Sequence, residues 1–195
     1  METAKALHTI TVEMTTGMLV LSTLAILVLT WQACFSGETT GKYREAFDGI
    51  ALFGALIGTV LLILAIVTGY RQWPIEAFMS GTIAKNKIFA GYMALAFWGA
   101  FLAIRLSAGK PLWNRKGLSL FTMFLALGGF LSIVFTASIG GTLAGKPSGF
   151  EEVARLFVET RETFVLPLGL NILLIVIAVA APVFVFFWSG KRSKR

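Results

Sequence analysis

The chain has 195 residues, of which 56% are hydrophobic and 14% charged, with a mean hydropathy of +0.80, against roughly 45–50% and about 25% in a soluble domain. That balance excludes a soluble globular domain, a disordered chain, collagen and a disulfide scaffold, because too little polar side chain is present to cover the apolar surface. The net charge of +7 does not point to nucleic acid: the basic residues lie in short loops and a tail between apolar runs, where lipid headgroups and membrane orientation account for them.

Spans of about 20 apolar residues are needed to cross a hydrocarbon core, and five runs qualify, at 8–34, 48–70, 87–107, 117–140 and 165–188. The expected fold is an all-α integral membrane protein, a single domain over 1–195 with five transmembrane helices. The first run reads as a retained helix rather than a secretory signal. Lys5 is its only leading cation, Glu13 lies ahead of the apolar stretch, and Trp31-Gln32-Ala33 lacks the small-residue pattern of a cleavage site before Cys34. Cys34 itself, the single cysteine, excludes an intrachain disulfide and reads as a small hydrophobe.

The start of that helix is unusually polar, with His8, Thr9, Thr11, Glu13, Thr15 and Thr16. Glu13 is singled out as the ionisable residue set within a span, since such residues are costly in lipid and mark function. Two readings stand: an interfacial carboxylate reaching water while the threonines bond back to the backbone, or a bundle-facing proton or quinone-headgroup site shared with His8. His8 is the single histidine, so ligation by two histidines is excluded. Its spacing of five from Glu13 is poor for holding one metal from a regular helix, and no metal site is expected.

The second run carries no charge from Ile50 to Gly69 and contains the small pairs Gly54/Gly58 and Ala51/Ala55. The third has Ala96/Ala100, and the fourth repeats the spacing with Ala137, Gly141 and Gly145. Such residues let helix backbones approach closely, and contacts within the bundle are expected of them rather than an oligomer interface. The loop 141–164 turns at Lys146-Pro147-Ser148-Gly149 and continues through Phe150, Val153, Phe157 and Phe164 at helical spacing. It is expected to form a short amphipathic extracytoplasmic helix, either lying on the membrane or acting as a lid or docking element. In the fifth run Pro167 suits a first helical turn and Pro182 a kink.

With five spans the loops sort into two sides. One holds ten Lys and Arg, including the tail Lys191, Arg192, Lys194 and Arg195, and the other holds seven. The positive-inside rule therefore places the C-terminus in the cytoplasm and the N-terminus outside, in a multi-pass protein of the cell membrane.

The stretch Leu7-His8-Thr9-Ile10-Thr11-Val12-Glu13-Met14 resembles the LHPxxVHFP opening of a family of bacterial and archaeal predicted membrane proteins of unknown function. Thr68-Gly69-Tyr70-Arg71, and Ser138-Ile139-Gly140-Gly141-Thr142-Leu143 beside the family's GWLGGxLV segment, extend the likeness over about residues 7–149. The resemblance implies a four-helix core to which the acidic loop and fifth span are additions. Only His8 matches a family histidine: Glu13 and Pro147 stand where others occur, so a histidine set for heme or metal would be lost here.

Phosphate loops, nucleophile triads, CxxC pairs and HExxH are absent, and catalysis is not expected. The leading functional expectation is a non-catalytic subunit packing with other membrane protein subunits in a larger complex, a respiratory or other redox complex being one such assembly, with bound lipids and no cofactor of its own. The alternatives are a redox protein holding quinone or heme near His8 and Glu13, and a small transporter, ranked last because no span is broken mid-membrane.

Overall fold

The computed structural model describes residues 2–36, 41–72 and 82–143. Four long helices make up nearly all of it: α1 (Glu2–Trp31), which runs on through a π-helical turn at Gln32–Ser36, α2 (Lys42–Gln72), α3 (Thr82–Ala108) and α4 (Lys116–Leu143). A 3-10 turn, Lys110–Asn114, connects α3 to α4. Gly109 opens that turn at φ 65°, in the left-handed region where a side chain is disfavoured. Pro111 then fits the first positions of the turn, where no backbone N–H is needed.

Each helix holds a stretch long and apolar enough to cross a membrane, at Lys5–Phe35, Lys42–Arg71, Ala84–Ala108 and Lys116–Gly141. The protein is therefore a multi-pass membrane protein with at least these four candidate spans. They start one to six residues before the expected runs and end one residue after them, because a helix in an interface keeps its backbone bonds while its side chains meet headgroups. The fifth span at 165–188 and the amphipathic helix expected before it fall outside the described residues.

The helices close a ring, α1 against α2, α2 against α3, α3 against α4 and α4 back on α1, with neighbours antiparallel. One end gathers the starts of α1 and α3 with the finishes of α2 and α4. The other carries the α1–α2 connection and the 3-10 turn. Leu19, Ile26, Leu29, Trp98, Phe101, Ile104 and Leu125 fill the centre. Leu24, Phe53, Val60 and Leu131 point outward, giving helices that are apolar all round as lipid requires.

Close approach depends on bare backbone at four glycines. A Cβ on Gly54 would stand 3.0 Å from the Met18 carbonyl oxygen, and one on Gly58 would overlap the Leu19 side chain, so this pair forms the α1–α2 seam. Ser22 reinforces it by donating its hydroxyl to the Ala51 carbonyl at 2.7 Å. Gly128 and Gly129 serve the α3–α4 seam: their Cβ positions would lie 2.9 Å from the Phe97 ring and 2.6 Å from Trp98 Nε1. Ala137 and Gly141 instead border the cavity described next, and Gly145 lies outside the described residues.

Candidate functional site

At the end where α1 begins, the helices splay around a cavity of about 430 Å³. Its lining is mostly apolar, with Leu62 and Ile66 from α2, Ile88 from α3 and Ile133 from α4, while Lys5, His8, Tyr70 and Lys87 give it a polar collar toward the helix ends. From Gly141 to Ile133 it follows α4 for roughly 12 Å at the helical rise. An apolar shaft under a polar collar is the shape of a site for an amphipathic molecule.

The threonines of α1 do not supply that collar. Thr9, Thr11, Thr15 and Thr16 donate to the carbonyls of Lys5, Leu7, Thr11 and Val12 at 2.6–3.0 Å, satisfying themselves along their own helix. His8 reaches across to α2, its Nδ1 3.1 Å from Thr68 Oγ1. The Thr68 hydroxyl also lies 2.8 Å from the Leu64 carbonyl and 3.1 Å from that of Ala65. When the Thr68 hydroxyl donates to one of these carbonyls, its oxygen accepts from Nδ1–H of the imidazole. Gly69 makes room for this ring, since a Cβ there would sit 3.2 Å from Cε1. Across the mouth, the Tyr70 and Tyr92 hydroxyls meet at 3.2 Å.

Glu13 and His8 both border this cavity but do not bond to each other. The buried stripe of α1 runs through Thr11, Thr15, Leu19, Ser22 and Ile26. Glu13 falls on the flank away from it and is exposed. No group of three or more His, Cys, Asp or Glu that could hold a metal occurs among the described residues.

The expectation that Glu13 is the one ionisable group inside a span is corrected by three others. Lys87, four residues into the third span, is half-buried and borders the cavity. A Cβ on Gly140 would lie 3.1 Å from its Nζ, so the ammonium is tucked between α3 and α4 over that glycine. At the opposite end Asp48 and Arg105 are buried, at 5% and 6% exposure. Arg105 grips the carboxylate with both arms, Nε to Oδ1 at 2.8 Å and a terminal nitrogen to Oδ2 at 2.5 Å. Trp113 Nε1 adds a third donor to Oδ1 at 2.6 Å. This fully paired network ties the 3-10 turn to the start of α2, and an exposed Lys110–Glu45 pair at 2.9 Å lies beside it. The signal was in the sequence: opposite charges near the start of one span and the finish of the next come level in an antiparallel hairpin.

Neither a family model, nor a curated protein, nor a solved structure matches the chain.

Proposed function

We propose that this protein is a non-catalytic membrane protein that holds one amphipathic molecule in the cavity between its four helices. The observation carrying this reading is the cavity itself, an apolar shaft open at the level where α1 begins and collared by Lys87, His8 and the Tyr70–Tyr92 pair. Isoprenoid quinones and membrane lipids both belong to the class that such a shape admits. Heme suits the donor set less well, since His8 is the single histidine and its ring is bonded to Thr68 and packed on Gly69. A bound amphiphile is equally compatible with a subunit of a larger membrane assembly, which co-purification in mild detergent at fixed ratio tests.

Native mass spectrometry of the full chain tests the cavity directly. Gly91 lines the cavity, and a Cβ there would meet nothing within 4 Å, so Gly91→Leu grows into open space. Wild type should retain one amphiphile and Gly91→Leu none. Equal occupancy in the two proteins overturns the reading.

A further inference from the structure

Charge in this bundle is treated differently at its two ends. Asp48 and Arg105 neutralise one another behind three hydrogen bonds. Lys87 lies as far inside the bundle as its half-buried state allows, yet among the described residues no carboxylate lies within ion-pair distance of it and no hydrogen bond to it is made. The cavity's charged lining consists of Lys5, Lys87 and Glu13, a positive balance, and Glu13 is on the exposed flank of α1. An ammonium facing an apolar cavity is costly unless an anion or several acceptors meet it.

The neighbouring groups narrow what meets it. His8 is engaged with Thr68 through Nδ1. One tyrosine hydroxyl of the pair donates to the other, which keeps a neutral O–H. Lys87 is the half-buried cation of the collar, Lys5 being exposed, and Gly140, by lacking a Cβ, leaves room for its ammonium beside α4.

Resting on the cavity reading above, we infer that the occupant is an acyl-chain amphiphile with an acidic head, its carboxylate or phosphate seated on the Lys87 ammonium and its chain along Leu62, Ile66, Ile88 and Ile133. A charge-assisted hydrogen bond of this kind is the strongest single contact the collar can make, and a neutral head of the same chain length forgoes it.

The test uses the full chain in nanodiscs of phosphatidylcholine, with palmitate, lysophosphatidate and monopalmitoyl glycerol as probes and native mass spectrometry as the readout. Palmitate or lysophosphatidate should bind one per chain in preference to the glycerol ester, and whichever acid binds more tightly identifies a carboxylate or a phosphate head. Lys87→Gln should weaken the acidic probe roughly ten- to hundredfold and leave the glycerol ester unchanged, while Lys87→Arg keeps the preference. Gly140→Ala, which pushes the ammonium aside without removing it, should reduce the preference in the same direction. If wild type binds acid and ester equally, or Lys87→Gln keeps the preference, the acidic head is overturned while the cavity reading stands. If wild type binds none of the three and a long-chain quinone also fails to bind, both are overturned.

Discussion

Removing the charge of Asp48 while keeping its shape, by Asp48→Asn, should destabilise the bundle by about 3–5 kcal/mol, the range for breaking one side of a buried ion pair. The structure supports that magnitude in two ways. Asp48 and Arg105 are both buried, and unit charges about 4 Å apart attract by about 4 kcal/mol at an effective dielectric constant of about 20. The Arg105 fork, which gives two hydrogen bonds to Asp48, would also be left facing a neutral amide. The double replacement Asp48→Leu with Arg105→Leu should be milder, about 1–3 kcal/mol, because the pair vanishes together and the Trp113 Nε1 donor is the group left orphaned. Helical circular dichroism during SDS-driven unfolding of the full chain in mild detergent measures both. A loss below about 1 kcal/mol for Asp48→Asn, or a double variant as damaged as the sum of its singles, refutes the claim that these groups act as one buried unit.

Gly58→Ala and Gly129→Ala should each destabilise by about 1–3 kcal/mol from overpacking, since their Cβ atoms would overlap Leu19 and the Trp98 ring. Gly91→Ala should be neutral or stabilising by up to about 1 kcal/mol through helix propensity; the same unfolding assay ranks all three. The exposed Glu45 holds the Lys110 ammonium above the ordinary lysine range through its hydrogen bond. What this pair contributes is present below that range and lost as pH rises past it. Being on the surface it is screened, and Glu45→Gln should leave the unfolding midpoint at neutral pH unchanged. With Cys34→Ser as background, cysteines at Lys5 and Lys110 should label from opposite faces, Lys110 from the cytoplasm if the positive-inside assignment is right; the reverse pattern inverts the map.

Hydropathy made the four described spans readable, because a run of about 20 apolar residues has few alternatives. Gly54 and Gly58 were readable for the same reason, as a small pair one turn apart on one helix. Gly128 and Gly129 were not: adjacent glycines belong to no four-residue repeat, and their value lies in the aromatic rings of Phe97 and Trp98 on another helix. His8 and Glu13 were found by residue type, but the partner that matters to His8, Thr68, is sixty positions away. Asp48, Lys87 and Arg105 lie close to the ends of apolar runs and read as loop charges. Only the antiparallel register of α2 and α3 shows that two of them neutralise each other and the third faces a cavity.

That register also separates stability from binding. At the closed end the buried charge pair is matched: Asp48 receives three donors, and Arg105 spends its fork on one carboxylate. A satisfied network of this kind fixes geometry and has nothing left to offer a ligand. At the open end the collar groups are held in place from behind, His8 by Thr68 and Tyr70 by Tyr92, while Lys87 presents its charge to the cavity. A charge with no ion-pair partner among the described residues is tolerated inside a membrane bundle where it serves a ligand. Substitutions at the two ends should therefore fail differently. Asp48→Asn should lower the folded fraction while surviving bundles keep wild-type affinity for an amphiphile. Lys87→Gln should leave unfolding within about 1 kcal/mol of wild type while affinity drops. A Lys87 variant that loses stability and affinity in parallel would mean that its ammonium is a structural tie between α3 and α4, and the division between the two ends would not hold.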